Sequence, residues 1–238
     1  MKLSDRIKGW LWPTTRCVVC GGKSEDTHPG LCEVCYEQLP ESREKVCFCP
    51  RCGRFYGREF RQCPGCFGTE SRFLKNGLFV GVPYDGIGGM LVRKLKYNNR
   101  RDLIPTMVRL FFRYSEIDTD FDMVTAVPLH RRRLRERGFN QSEELAKAIA
   151  EGMSLPYETL LERVIDTPSQ TALDYRRRCS NMKGAFRVIE REKAEGCRVL
   201  LVDDVVTTGA TAKECVAALK KAGVKRAAIA AFAAGKVR

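Results

Sequence analysis

The amino-acid sequence predicts an α/β fold, a parallel sheet with helices on both faces, preceded by a small cysteine-rich module. Two observations lead to this prediction. From residue 76 onward, strand-like and helix-like segments alternate, which is the pattern of a doubly wound sheet. Nine of the twelve cysteines fall between Cys17 and Cys66, where short, Gly-punctuated segments offer little for a core. We therefore expect two units, at residues 1–71 and 76–238.

Each element of the second unit is predicted from its local pattern. Apolar runs predict strands at residues 78–84, 122–127, 198–202 and 225–231, and amphipathic periods predict helices at residues 86–97, 102–115, 141–151 and 211–222. Asn140 with Glu143, and Thr211 with Glu214, have the pattern of capping boxes, and Gly223 is a stop signal. Residues 1–13 predict a short amphipathic helix that packs on the cysteine-rich module or, alternatively, docks on a membrane surface.

The chain is strongly basic, with 42 Lys and Arg against 29 Asp and Glu and a net charge of +13. The positive residues cluster at residues 93–101, 131–137 and 176–178, which suits phosphorylated metabolites, nucleic acid or an acidic membrane. The longest wholly apolar stretch, residues 227–234, is too short to span a bilayer. Residues 1–13 lack the uninterrupted apolar run and the cleavage site of a signal peptide, so we expect a cytoplasmic protein.

The cysteines form four Cys-x-x-Cys knuckles, namely Cys17/Cys20, Cys32/Cys35, Cys49/Cys52 and Cys63/Cys66. A two-residue gap lets both thiolates reach one ion, and two knuckles complete the tetrahedral four-thiolate site that Zn²⁺ prefers. Cytoplasmic thiols stay reduced, so two structural zinc ions are expected. An iron–sulfur cluster or a redox dithiol is the alternative. Sequential pairing of the knuckles is preferred over interleaved pairing, with Cys47 left over and His28 as a possible replacement ligand.

The most informative segment runs from Val199 to Thr211. An apolar strand leads to Asp203 and Asp204, and a Thr-Thr-Gly-x-Thr turn then enters a helix. The turn offers backbone N–H groups, hydroxyls and the positive end of the helix to a phosphate monoester. The two carboxylates can accept hydrogen bonds from ribose hydroxyls, or hold Mg²⁺ directly or through water. Open α/β sheets bind their ligands at this edge.

This segment resembles the signature with which type I phosphoribosyltransferases bind phosphoribosyl pyrophosphate (PRPP). The resemblance implies a type I phosphoribosyltransferase-like sheet, with Asp203 and Asp204 as catalytic residues that contact the ribose hydroxyls. It also implies that the turn holds the 5′-phosphate, and it assigns PRPP binding to Val205, Thr207, Thr208, Gly209, Ala210 and Thr211.

Two further segments narrow the resemblance to the ComF/GntX family of competence-associated proteins. Residues 127–141 are similar to the family's loop at the pyrophosphate position, which implies that Arg133 and Arg137 neutralise a diphosphate. Residues 170–186 are similar to its flexible active-site loop, which adds Arg178 to the PRPP site. The cysteine knuckles precede these segments, which is the family's usual order: a double zinc ribbon and then the phosphoribosyltransferase domain. The resemblance therefore covers almost the whole chain.

The resemblance implies a PRPP- and Mg²⁺-binding protein that acts in DNA uptake and binds single-stranded DNA. In an enzyme, pyrophosphate would leave C1′ and a nucleophile would attack; the sequence leaves the acceptor unidentified, because no base-reading hood segment is recognisable. His130 is a candidate general base, with a structural role in its loop as the alternative. Two other functions stay open: a phosphoribosyltransferase of nucleotide metabolism, and a non-catalytic zinc-ribbon adaptor that recruits a DNA-uptake helicase or another competence protein.

Overall fold

The computed structural model describes residues 16–24, 30–39, 46–49, 55–57, 63, 77–166, 184–207 and 209–236. Its strands are β1 (Val46–Phe48), β2 (Phe55–Gly57), β3 (Leu78–Pro83), β4 (Met123–Ala126), β5 (Leu161–Arg163), β6 (Phe186–Val188), β7 (Arg198–Val206) and β8 (Arg226–Ala234). Its helices are α1 (Glu33–Glu37), α2 (Gly86–Asn98), α3 (Ile104–Tyr114), α4 (Arg131–Arg137), α5 (Gln141–Met153), α6 (Arg191–Ala194) and α7 (Ala210–Lys221), with a 3₁₀ turn at Arg101–Leu103. The amphipathic helix expected at residues 1–13 lies outside the described residues.

The centre of the second unit is a four-stranded parallel sheet in the order β3-β8-β7-β4. Leu200 and Val202 of β7 pack into the core that β7 shares with α2, α3 and α5. Val199 and Leu201 point the other way, into the core formed with α7. Because both faces are covered by helices, the central strands are continuous apolar runs rather than alternating ones. The predicted fold class is confirmed.

The ends of several elements differ from the prediction, and two of these differences lie in the segment from β7 to α7. Strand β7 continues four residues beyond residue 202, because its ladder with β8 extends through Asp203 opposite Ala231. The predicted cap at Thr211 is wrong, since α7 begins at Ala210 after Gly209 and makes no side-chain cap. By contrast, the cap at Asn140 is confirmed: its Oδ1 accepts a hydrogen bond from the N–H of Ser142 at 3.1 Å.

Four described elements of the second unit were missed altogether. Helix α4 occupies a segment that we read as a loop, and β5 and β6 form an antiparallel hairpin on either side of residues 167–183, which are outside the described part. The short helix α6 follows this hairpin. In the described part of the chain, no helix has both the length and the apolar character needed to cross a membrane.

The cysteine-rich module packs directly on the second unit. Leu31 and Cys35 are buried in the same core as the helices α2 and α3. The ammonium of Lys94, on α2, donates a hydrogen bond to the carbonyl of Val19 at 2.6 Å. A second contact lies just after the end of β8, where the N–H of Phe55, in β2, donates a hydrogen bond to the carbonyl of Gly235 at 2.9 Å. The module therefore contributes to one continuous fold with the sheet.

Gly88 permits the tight turn between β3 and α2. A Cβ atom at this position would lie 2.1 Å from the carbonyl oxygen of Pro83 and 2.8 Å from a methyl group of Val82. In an unobstructed helix, Gly→Ala stabilises by up to about 1 kcal/mol. We expect the opposite sign here: Gly88→Ala should lower the free energy of unfolding by about 3 kcal/mol or more, because the clash is with backbone.

Chemical denaturation of the purified protein measures this effect. The matched control is Asn98→Ala, at the exposed last position of the same helix, which should change stability by no more than about 0.5 kcal/mol. An unchanged or raised midpoint for Gly88→Ala would show that this turn is not as tight as described.

Candidate functional site

Two adjacent carboxylates lie near the carboxyl end of β7, at the edge where open α/β sheets bind ligands. Asp203 and Asp204 are both buried, with 9% and 3% of their surface exposed. The hydroxyl of Ser142, in the first turn of α5, donates a hydrogen bond to Oδ1 of Asp203 at 3.0 Å. The N–H of Asp204 donates to the same oxygen at 2.9 Å. Helix α5 therefore fixes the orientation of the first carboxylate.

Lys96, in the last turn of α2, pairs with the second carboxylate. Its Nζ lies 2.5 Å from Oδ2 of Asp204, and this buried oxygen has no partner in regular hydrogen-bond geometry among the described residues. Burial by itself lowers the pKa of Lys96, but the charge of Asp204, the close contact with it and the charge of Asp203 together outweigh burial, so the pKa is raised. An ammonium group is thus held inside the site. From the sequence alone, Lys96 is identified only as a member of the basic cluster at residues 93–101; its spacing of four from the buried Val92 is the signal that it faces inward.

The carboxylate pair keeps an excess of negative charge. Burial, and then the neighbouring charge of Asp204, raise the pKa of Asp203 to about 7, against the opposing effects of Lys96 and the Ser142 hydroxyl. Asp203 and Asp204 have only the ammonium of Lys96 to balance their charges, and Oδ2 of Asp204 makes no regular hydrogen bond among the described residues. The pair can therefore accept hydrogen bonds from hydroxyl groups or bind a divalent cation. The donor set therefore fits Mg²⁺, which prefers oxygen ligands and retains water.

The predicted phosphate turn follows directly. Thr207 is exposed, Gly209 has the left-handed φ of 73°, and Ala210 opens the twelve-residue helix α7. The N–H groups at the start of an α-helix point toward the turn that precedes it, which suits an anion there. Val205 and Thr211 are half-buried beside it, whereas Thr208 lies outside the described residues.

Strand β2 of the cysteine-rich module is connected to this turn by backbone hydrogen bonds that run through Gly235. The N–H of Gly235 donates to the carbonyl of Val206 at 2.9 Å, and Gly235 lies against the Cα of Thr207. The carbonyl of the same glycine accepts the hydrogen bond from Phe55 of β2. The phosphate turn is therefore braced by a strand of the cysteine-rich module, a contact with no signal in the sequence.

Helix α4 carries the arginines of the predicted pyrophosphate segment. Nδ1 of His130 accepts a hydrogen bond from the N–H of Arg132 at 3.4 Å, and the same atom lies 3.4 Å from Oδ1 of Asp166. His130 thus caps the helix, which favours the structural role over that of a general base. Arg163, on β5, is a further guanidinium near this segment; burial, and then the charge of Arg133, lower its pKa.

A pocket of about 580 Å³ lies between α4 and the end of α2. It brings together residues from two separate basic clusters of the sequence, and its lining includes Lys96, Tyr97, Arg133, Glu136, Arg137 and Phe139. Because Lys96 also contacts Asp204, the pocket opens beside the carboxylate pair. Lys96 thus links the pocket that Arg133 and Arg137 line to the buried Asp204, while Arg178 lies outside the described residues.

The first two cysteine knuckles come together in a cluster that could hold a metal ion. The Sγ atoms of Cys17, Cys20, Cys32 and Cys35 all lie within 4.8 Å of one another. Four thiolates at about 2.3 Å from one tetrahedral Zn²⁺ would be separated by about 3.8 Å, so the cluster fits zinc. The N–H of Gly22 donates to Sγ of Cys20 at 3.4 Å. These knuckles meet as sequential pairing predicted.

The environment of Cys17 favours its thiolate. Burial raises its pKa, but hydrogen bonds from the backbone of Cys20, Cys32 and Val19 outweigh burial and lower the pKa to about 6. A thiolate at neutral pH is the form that binds metal. In the second half of the module, Cys49 and Cys63 are buried in one small cluster, while Cys52 and Cys66 lie outside the described residues.

Comparison with known proteins gives three kinds of match: to a family model, to curated sequences and to solved structures. Residues 142–238 match the family model described as "Phosphoribosyl transferase domain". The DNA utilization protein YhgH of Salmonella typhi is 30% identical over 214 residues, which cover 87% of this chain and 91% of that protein. Competence protein F of Haemophilus influenzae is 27% identical over 219 residues, which cover 88% of this chain and 93% of that protein. Among solved structures, the allosteric regulatory enzyme of purine biosynthesis is 23% identical, with a TM-score of 0.37, over 56% of this chain and 25% of that one.

Proposed function

Since this chain belongs to the ComF/GntX family, that of the DNA utilization protein YhgH and competence protein F, we propose that it binds PRPP with Mg²⁺ and single-stranded DNA in DNA uptake. The observation that carries this proposal is the buried Asp203–Asp204 pair, set between a phosphate turn and a basic pocket. Such a constellation matches the three polar parts of PRPP: the neutral ribose hydroxyls, the anionic 5′-phosphate and the anionic diphosphate.

Each part of PRPP has a partner in the chain. The carboxylates of Asp203 and Asp204 accept hydrogen bonds from the ribose hydroxyls. The turn from Thr207 to Thr211 takes the 5′-phosphate with its N–H groups and hydroxyls. Arg133 and Arg137 neutralise the diphosphate from the side of α4, and Arg178 adds to them from its own segment. Mg²⁺, when bound at the carboxylate pair, supplies further neutralisation of the diphosphate charge.

Phosphoribosyl transfer is the reaction this arrangement supports. The bond from C1′ to the diphosphate oxygen breaks, a bond from C1′ to the acceptor forms, and the acceptor loses a proton while pyrophosphate leaves. The arginines of α4 stabilise the charge that develops on the diphosphate, and the carboxylates hold the ribose in place. The match of residues 142–238 to the phosphoribosyl transferase model favours this reaction, including its variant in nucleotide metabolism.

We assign the binding of single-stranded DNA to the exposed face of α4. Arg131, Arg132 and Arg135 are exposed there. Positive side chains on a surface bind the phosphates of a strand without reading its bases. The pure adaptor function is less favoured, because a buried carboxylate pair with a buried ammonium is costly unless a ligand uses it.

Two zinc ions per chain are part of this proposal. Elemental analysis of protein purified without added metal should give two zinc ions per chain, and Cys17→Ser or Cys49→Ser should each reduce the count to one. Because Cys17 belongs to the core shared with α2 and α3, its replacement should also lower the melting temperature of the whole protein.

The matched control for these zinc counts is Cys197→Ser, a partly exposed cysteine outside the knuckles, which should retain both ions. Protein with no zinc, or with the brown colour of an iron–sulfur cluster, would contradict the assignment.

A further inference from the structure

Lys96 and Tyr97 both line the pocket, but Lys96 reaches toward the protein interior and Tyr97 is exposed to solvent. They are neighbours in the last turn of α2, where Lys96 reaches the buried Asp204 and Tyr97 is 74% exposed at the pocket. Tyr97 is the most exposed of the large hydrophobic side chains that the structure describes. One side of the pocket thus meets the carboxylate pair, and the other presents an aromatic ring to solvent.

Arginine side chains accompany both aromatic residues of the pocket. The guanidinium of Arg137 lies 5.7 Å from the ring centre of Tyr97, and that of Arg101 lies 4.4 Å from the ring centre of Phe139. Nη1 of Arg137 donates a hydrogen bond to Oε1 of Gln141 at 2.6 Å. Because Gln141 is neutral, this bond fixes the guanidinium without cancelling its charge. The result is a positioned cation beside an exposed ring.

The charge of the pocket identifies the class of ligand. Its lining contains the cations Lys96, Arg133 and Arg137 and one carboxylate, Glu136, which already accepts a hydrogen bond from Arg132 at 3.0 Å. A volume of about 580 Å³ is within the range of about 300–1,000 Å³ typical of small-ligand pockets. A ligand that uses both features needs an anionic group and a planar aromatic group, which a nucleotide combines.

We propose that this pocket binds the terminal nucleotide of a single DNA strand, with the base stacked on Tyr97 and the phosphate held by Arg133 and Arg137. The inference rests on the proposed function and specifies where its two ligands meet. Lys96 lines the pocket and is paired with the buried Asp204, so we place the end of the strand, rather than its middle, against this side. The strand end and the diphosphate of PRPP use the same cations and therefore exclude one another. Stacking accepts every base, so sequence preference is slight.

The test uses a short oligonucleotide with 2-aminopurine at one end or in the middle, and the full-length protein. Fluorescence of the end label should be quenched on binding, that of the middle label should not, and PRPP with Mg²⁺ should reverse the quenching. Tyr97→Ala should weaken binding of the linear strand about 5- to 150-fold, the effect of one base–aromatic stack. Tyr97→Phe should retain the affinity, and a circular single strand should bind wild type and Tyr97→Ala equally.

Controls separate this inference from the proposed function. Leu134→Ala, at an exposed position of α4 outside the pocket lining, should leave strand binding unchanged. Unchanged affinity of Tyr97→Ala for the linear strand, or equal quenching of both labels, overturns the pocket assignment and leaves PRPP and DNA binding standing. A free deoxynucleoside monophosphate that binds as tightly as the strand end overturns the strand-end assignment. If wild type binds no oligonucleotide at low salt, the DNA part of the proposed function fails as well.

Discussion

Replacing Asp203 and Asp204 together by Asn is expected to weaken the binding of PRPP with Mg²⁺ by about a hundredfold or more. Asn keeps the size of the side chain and one acceptor oxygen, but it removes the charge that strengthens a hydrogen bond to a ribose hydroxyl. Hydrogen bonds to charged groups contribute about 1.5–3 kcal/mol each, so two of them account for this factor. Isothermal titration calorimetry at pH 8 measures it, because Asp203, with a pKa of about 7, is ionised there.

The double variant removes the partner of a buried ammonium, so its folding needs a separate check. Asp203→Asn alone retains the Lys96–Asp204 pair and should fold, while still losing at least about tenfold in PRPP affinity. Asp102→Asn is the matched control, since its carboxylate is exposed and pairs with Arg100 on the surface. Wild-type affinity in folded Asp203→Asn and in the double variant would mean that these carboxylates do not contact the ribose.

Replacing Arg131, Arg132 and Arg135 by Ala should make DNA binding markedly less sensitive to salt. Each phosphate neutralised on a single strand contributes about −0.7 to the slope of log affinity against log salt. Arg132 is already paired with Glu136 at 3.0 Å, so we expect Arg131 and Arg135 to carry most of the effect and the slope to become shallower by about 1.4. Titration of a labelled oligonucleotide at several salt concentrations measures the slope.

A variant of equal charge controls for the loss of three positive residues. Three exposed lysines lie near the carboxyl end of α7, away from the phosphate turn: Lys220, Lys221 and Lys225. Their replacement by Ala should leave the slope of log affinity against log salt nearly unchanged. Equal flattening in both triple variants would indicate a diffuse effect of net charge rather than a strand path along α4. Binding that is indifferent to salt would contradict a phosphate-based interface altogether.

Much of the sheet could be predicted because its strands are unusually apolar. Residues 199–202 and 227–234 are buried, with side chains in the cores on both faces of the sheet, and this produces the continuous apolar runs of a parallel sheet. The end of β7 was misplaced because two aspartates have low strand propensity, whereas in the fold the ladder with β8 overrides that preference. Helix α4 was missed because its seven residues bury no side chain and so show no apolar period.

The candidate site was predictable only where its residues are contiguous in sequence. Asp203, Asp204 and the following turn form one segment, and their chemistry can be inferred from residue types alone. Lys96 and Ser142 come from other elements and reach the carboxylates only when helices α2 and α5 pack on the sheet. The hydrogen bonds that link Phe55 to the phosphate turn join backbone atoms, which almost every residue type has, so the sequence gives no sign of them.

The most direct measurement of the central claim is a crystal structure of the protein with PRPP and Mg²⁺. The proposal predicts one PRPP per chain, with its ribose hydroxyls on Asp203 and Asp204, its 5′-phosphate at the turn from Thr207 to Thr211, and its diphosphate beside Arg133. PRPP bound elsewhere, or a carboxylate pair that keeps only Lys96 as its partner at saturating PRPP and Mg²⁺, would contradict the proposal.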